Sequence, residues 1–415
     1  MKSERHCPPS GRAYSLPRET QRCNDAVMRV LVSSTAGAGH FGPLVPFARA
    51  CLAAGHDVLV AAPESFAESV AAAGLDHAPF DDVPADVMGA VFGRLPSMTP
   101  EEANATVMSD VFGRLDAQAA LPRVTATFDS WKPDIVLREP CEFGAWAAAE
   151  KAGVPQVLTS IGVAAMGEAI LPMLVEPLAE LRAIAGLPDD HTLDSIRNVP
   201  CFTTVPSTFD TPLPDGAANV WRFGEPFDRG RRGSLPAAWG DSEAPLVYVT
   251  FGSVTGTVGP LAAIYPAVIS AVADAPYRVL LTTGEGVDPG SPGSIPDNVR
   301  VERWWPQADV MPLAAAMVGH GGYGTTMSAL AAGLPQVVIP LFAMDQFING
   351  ARVAEVAAGI HLEGGIDAVG ALPEALERML GEPSYRNAAT GIAEEIAALP
   401  DVAAAVPILE RLARS

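Results

Sequence analysis

The chain has 415 residues, roughly two to three domains at ~150 residues each, and is 49% hydrophobic and 18% charged, which excludes a wholly disordered polymer. Its net charge of −21, from 48 acidic and 27 basic residues, argues against a nucleic-acid or anionic-membrane partner. Cys7, Cys23, Cys51, Cys141 and Cys201 form no C-x-x-C pair, so neither a zinc site nor a disulfide framework is expected, and a reducing cytoplasm fits.

In chain order, residues 1–27 carry Pro, Arg and Ser without the continuous apolar run of a secretory signal. A disordered extension, or an upstream start, is expected there. No later apolar stretch reaches the ~18 residues of a membrane span. From Met28 short apolar runs alternate with helical stretches. MRVLVSS (28–34), DVLVAAP (57–63), LDHAPF (75–80), DIVLRE (134–139) and PQVLTS (155–160) predict strands. Helices are predicted from His40 to Ala54, Ser65 to Ala73 and Glu142 to Lys151, with a partly helical region over 81–130.

Residues 200–245 are rich in proline, from Pro200 to Pro236, and hold the run Arg229-Gly230-Arg231-Arg232-Gly233. That composition marks a linker, placed at 216–238. A second series follows: LVYVTFGS (246–253), YRVLLTT (277–283), VRVERW (299–304), MVGH (317–320) and QVVIP (336–340), with helices at 323–332 and 345–358. An Ala-rich helical tail runs from about 384 to 413. The fold class is therefore α/β. Two Rossmann-like doubly wound domains, 28–215 and 239–383, face each other across a cleft, and C-terminal helices (384–415) pack back toward the first.

Two of the seven histidines stand in glycine-rich turns after strands. Gly37-Ala38-Gly39-His40-Phe41-Gly42 is a literal G-x-G-x-x-G, and Glu64 follows near the end of the second strand. A dinucleotide oxidoreductase is one reading of that loop, although a histidine inside it would crowd a pyrophosphate. His320 opens His320-Gly321-Gly322-Tyr323-Gly324-Thr325-Thr326, where glycines admit a ligand to the backbone and the threonines start a helix. Free N–H groups, the helix dipole and nearby hydroxyls make this a phosphate site. There is no D-x-D sequence and no metal-ligand spacing, so no metal or cofactor is expected.

These residues resemble the inverting glycosyltransferases of family 1, with the GT-B fold, and most closely the bacterial enzymes that glycosylate antibiotics. The match is most specific over 304–353, where W-x-P-Q, H-x-G-x-x-T, the G-x-P turn of Gly333 to Pro335, and Asp345-Gln346 follow in order. The resemblance implies that Trp304 stacks on the base, that Trp305 offers its backbone to the base edge, and that Gln307 lies nearby. It implies that Ser253, His320, Gly322, Gly324 and Thr325 hold a diphosphate, and that Asp345 and Gln346 meet sugar hydroxyls. Gly39-His40-Phe41-Gly42-Pro43 matches the family's catalytic-histidine motif, with Glu139 as partner, although that acid is usually Asp and Glu142 lies one helical turn on.

Many plant members carry Glu where this chain has Ser328. A short residue there loses a ribose 2′-OH partner, which favours a thymidine over a uridine diphosphate sugar. Simpler roles exist for several of these residues. Trp304 and Trp305 could be packing aromatics, and Asp345 could cap its helix. Met88, Phe92, Met166 and Met173 could line an apolar acceptor pocket or be core. The implied reaction is transfer of a (deoxy)sugar to a hydroxyl of a polyketide-like or aromatic aglycone. A nucleotide-sugar epimerase of the same architecture is the alternative. The partners are then two small molecules, and either a monomer or a homodimer is compatible.

Overall fold

A computed structural model describes residues 27–212, 219–224, 233–284, 286–290 and 294–414. The expectation for residues 1–27 lies outside the described residues, apart from the exposed Val27.

The first sheet has seven parallel strands: β1 Arg29–Ser33, β2 Asp57–Pro63, β3 Asp76–Phe80, β4 Ile135–Arg138, β5 Gln156–Thr159, β6 Cys201–Thr203 and β7 Val220–Arg222. Their order is β3-β2-β1-β4-β5-β6-β7. The second has six, β8 Leu246–Thr250, β9 Arg278–Thr282, β10 Val299–Glu302, β11 Ala316–Gly319, β12 Gln336–Val338 and β13 Gly359–His361, ordered β10-β9-β8-β11-β12-β13. Strands such as β8, buried at every position, lie between helical layers, which is why they read as continuous apolar runs.

Each sheet reverses its winding once, between β1 and β4 and again between β8 and β11. In the first, Ser33 pairs with Arg138; in the second, Thr250 pairs with Gly319. The loops leaving these strand ends are the ones that carry the histidines. Open parallel sheets bind ligands at such reversals.

Several expectations are corrected. The linker begins later than residue 216, because Val220–Arg222 is hydrogen-bonded to β6 as the edge strand of the first sheet. The first helix starts at Ala38, tightens to a 3-10 turn over Gly42–Leu44 around Pro43, and resumes over Val45–Ala53. Pro100 to Trp131 is helical throughout, with Val107–Asp116 wound as a π-helix. The tail is not one helix. Pro383–Ala398 ends before Pro400, and a 3-10 turn (Val402–Ala405) leads into Val406–Leu412.

The tail joins the two halves. Ala389, Ile392 and Ile396 pack with Leu330 and Val353 of the second domain and with Val205 and Phe209 of the first. Val402, Val406 and Leu409 complete the core around Val30, Val32 and Phe47 beneath β1. Burial of such side chains contributes about 1.5–3 kcal/mol each. Among the described residues, no helix is long and apolar enough to cross a membrane.

Candidate active site

His40 leaves the end of β1 on the short helix Ala38–Phe41, and Glu139 follows the last residue of β4. Because β1 and β4 are neighbours, Nδ1 of His40 comes within 3.2 Å of Glu139 Oε2. Glu139 is fully buried. Its Oε1 accepts from the Thr35 N–H (3.2 Å) and hydroxyl (3.0 Å), and its Oε2 accepts from the Cys141 N–H (2.6 Å). Burial alone would raise this carboxyl; His40 and the N–H donors outweigh it and hold the pKa below the usual range. Burial, the largest single influence, would lower the imidazole, but the Glu139 charge together with hydrogen bonding to Cys141 and Glu139 outweighs it, and His40 sits well above its ordinary value.

Glu142 points elsewhere. It accepts from the Ser33 hydroxyl (2.8 Å) and the Ala145 N–H (2.9 Å), and burial pushes its pKa up to about 7. Of the two acids near this strand end, Glu139 is the one facing the imidazole. On the other side of His40 the π-helical stretch brings the Phe112 ring to 5.2 Å. Asp116, one turn further, is raised to about 6 by burial and then by the Glu139 carboxylate. Asp116, Thr35 and Cys141 were missed in the sequence, where nothing local distinguishes them. His40, Glu139 and Cys141 present ligand atoms within 4.8 Å of one another and are the group among the described residues that could hold a metal.

The second half repeats the plan. Ser253 is exposed after β8, and His320 follows β11. The imidazole is wedged between two glycines. A Cβ on Gly252, whose φ is +75°, would sit 2.8 Å from Cε1, and one on Gly322 would sit 2.6 Å from Nε2. Burial pushes His320 down to about 4, so the ring is neutral at pH 7, and its Nδ1 has no partner among the described residues. The helix Tyr323–Ala331 lies where 323–332 is expected to be helical, with Thr325 inside its first turn, Gly322 as N-cap and no side chain capping it. The first turn of a helix carries N–H groups without intrahelical acceptors, the feature that suits such an N-terminus to an anion. The Gln307 amide donates to Thr325 Oγ1 (3.3 Å).

Trp304 is 70% exposed, as a stacking platform requires and a core aromatic does not. Trp305 packs against the core, and its Nε1 donates to Ser234 O (2.9 Å). Asp345 is not a cap: Ala343 is the N-cap of the helix Met344–Glu355. Burial raises the Asp345 carboxyl, while first-turn N–H groups and the charge of His40 across the cleft favour its ionised form. Gln346 is buried, and its Oε1 accepts from the Leu341 and Phe342 N–H groups (2.9 and 3.2 Å), leaving Nε2 for other partners.

A cavity of about 560 Å³ between the halves is lined by Gly39, Gly42 and Pro43, chain neighbours of His40, by Gly324, Met327 and Ser328 of the helix after His320, and by Ile396 and Val402 of the tail; its lining includes neither histidine. Of the apolar candidates, Met166 and Met173 pack against the first core, Met88 is half-buried, and Phe92 is exposed.

Residues 49–176 and 266–412 match the family models for the N- and C-terminal domains of erythromycin biosynthesis protein CIII-like proteins. The chain is 33% identical over 386 residues to the L-demethylnoviosyl transferase of Streptomyces niveus, covering 90% of this chain and 95% of that one. It is 32% identical to the elloramycin glycosyltransferase ElmGT of Streptomyces olivaceus, covering 91% and 96%. Among solved structures, the glycosyltransferase SnogD from Streptomyces nogalater superposes with a TM-score of 0.72 at 27% identity, covering 94% of this chain and all of that one. Glycosyltransferase VinC in complex with dTDP gives 0.72 at 26%, over 93% and 100%. The chain belongs to the erythromycin biosynthesis protein CIII-like family, metal-independent family 1 glycosyltransferases of natural products with the GT-B fold.

Proposed function

We propose that this enzyme moves a sugar, with inversion, from a thymidine diphosphate donor to a hydroxyl of an apolar aglycone, using His40 as general base and no cofactor. An alcohol needs a base as its oxygen attacks. Nε2 of His40 takes the acceptor proton while the acceptor oxygen bonds to C1 of the sugar. The bond from C1 to the diphosphate oxygen breaks, and its electron pair leaves with the diphosphate. Glu139, facing Nδ1, fixes the tautomer and stabilises the imidazolium. A single displacement inverts the anomeric centre. The diphosphate is a weak base, so the helix N-terminus, His320, Ser253 and Thr325 suffice to receive it.

The observation that carries this reading is the 3.2 Å approach of His40 to a buried carboxylate, on a loop whose Gly39 and Gly42 line a cavity that also touches the helix after His320. For the donor, Trp304 supplies the base platform, while Asp345 and the Nε2 of Gln346 meet the sugar hydroxyls. Ser328, half-buried on the cavity wall, offers no carboxylate to a ribose 2′-OH, which favours thymidine. VinC, crystallised with dTDP, supports the same choice. Phe112 puts an apolar surface beside the base, suited to an aromatic or polyketide-like acceptor. Met88 and Phe92 are exposed enough to extend it; Met166 and Met173 are mainly core. A cytoplasmic setting fits the free thiols of Cys51, Cys141 and Cys201.

The test is incubation with a panel of nucleotide sugars and aglycones, read by mass and by the anomeric configuration of the product. His40→Ala is expected to abolish transfer and keep dTDP affinity. Transfer at the wild-type rate in that variant removes His40 as base. An altered nucleotide sugar formed without acceptor would make the protein an epimerase.

A further inference from the structure

The loop that precedes Asp345 is held from the opposite domain by one side chain. Asn104 lies on the helix Pro100–Thr106 of the first domain. Its Nδ2 donates to Phe342 O (3.2 Å), and its Oδ1 accepts from the Met344 N–H (3.0 Å). The same Nδ2 also donates to Pro100 O (2.7 Å), which orients the amide. The start of that helix is itself fixed. Thr99 and Glu102 form a reciprocal box, with the Thr99 N–H donating to Glu102 Oε2 (2.8 Å) and the Glu102 N–H donating to Thr99 Oγ1 (3.3 Å).

The span 341–346 is pinned from both sides. Gln346 Oε1 holds the Leu341 and Phe342 N–H groups from within the second domain, and Asn104 holds Phe342 O and Met344 N–H from the first. Asp345 and Gln346 come directly after. The carboxylate that feels the charge of His40 is therefore attached to the segment that Asn104 grips.

We infer that Asn104 is a positioning residue for donor-sugar recognition: it clasps the 342–344 backbone across the cleft and so sets Asp345 against the base. The inference rests on the proposed donor site. The bonds of Asn104 go to backbone groups, so its role is to position Asp345 rather than to bind the donor itself. Its loss should affect the part of the donor that Asp345 reads and spare the diphosphate, which the His320 turn holds. It should also loosen the approach of the two domains and admit water to the activated sugar.

Two variants separate the clasp from a general packing role. Asn104→Ala removes both cross-domain bonds, while Asn104→Asp keeps an acceptor for Met344 N–H and loses the donor to Phe342 O. The first measurement is amide exchange over 341–346 in the ligand-free protein, which does not depend on what the donor is. Asn104→Ala should speed Met344 exchange about tenfold, and Asn104→Asp should restore most of the protection. The second compares dTDP affinity with the donor KM and with the ratio of donor hydrolysis to transfer. For Asn104→Ala, dTDP affinity should stay within about twofold, while KM and the hydrolysis ratio rise about tenfold. Unchanged Met344 exchange at unchanged Tm would overturn the clasp. Faster exchange with unchanged KM and hydrolysis ratio would overturn its role in donor recognition. A wild-type protein that does not bind dTDP, with exchange behaving as expected, would overturn the donor site and the recognition role with it, while leaving the cross-domain bond demonstrated.

Discussion

Nδ1 of His40 lies 3.2 Å from Oε2 of Glu139, and both oxygens of that buried carboxylate are already engaged by N–H donors. The acid is thus held in place and held ionised. The imidazole beside it keeps its proton to higher pH than a free histidine. A base works only when deprotonated, so kcat/KM should rise with pH through the elevated His40 pKa and fall below it. Glu139→Gln removes the anion that raises this pKa. The acid limb of the pH profile should move to lower pH, and kcat should drop by roughly 10²–10⁴-fold. An acid limb that stays in place in Glu139→Gln would show that the carboxylate does not tune the base.

The second histidine is tuned the opposite way, neutral and wedged between glycines. Gly322→Ala would place a methyl 2.6 Å from His320 Nε2, so the ring must move out of the turn. We expect dTDP affinity to fall by about tenfold, an effect on the scale of one displaced charge-assisted hydrogen bond. His320→Ala should cost a similar factor. In the double variant the losses should not add, because the methyl then has no ring to displace. Calorimetry on the four proteins checks this. Additive losses would mean that Gly322 acts through something other than His320.

Much of this geometry was legible from spacing. Strand-loop-helix order placed His40 and His320 at strand ends, and a parallel sheet turns such ends toward one edge. What could not be read was what depends on long-range contact. The three-residue strands β6 and β7 lie in a proline-rich stretch too short to show any period. The choice of Glu139 over Glu142 rests on the family resemblance, because nothing local in the sequence separates the two acids. Glu142 lies three residues on and turns back to Ser33 of β1. Asn104 looks like any helix-surface residue, because its partners Phe342 and Met344 are far away in the chain and are backbone groups.

Ser328 offers a gain-of-function test of nucleotide choice. It is half-buried on the cavity wall with Gly324 one turn earlier. Ser328→Glu would bring a carboxylate to the place where a ribose 2′-OH has a donor to give. The ratio of UDP to dTDP affinity should then rise by about tenfold, as a bond to a charged acceptor contributes about 1.5–3 kcal/mol and repulsion from the diphosphate offsets part of it. Equal losses for both nucleotides would place the ribose elsewhere.

Glu142 gives a pH-dependent stability prediction free of the chemistry. Its carboxyl titrates near 7 in the folded protein because burial disfavours the charge, against about 4.3 when unfolded. The unfolded chain releases this proton first. Folding stability should therefore fall as pH rises between those values, by on the order of 3 kcal/mol in all. Glu142→Gln keeps an oxygen for the Ser33 hydroxyl and the Ala145 N–H and carries no charge to bury. The variant should melt higher than wild type at pH 8, with the difference shrinking as pH falls toward 5. A variant that melts lower than wild type at pH 8 would mean that the ionised carboxylate is compensated, and the buried Arg138, whose charge favours the ionised form of Glu142, is the cation placed to supply that.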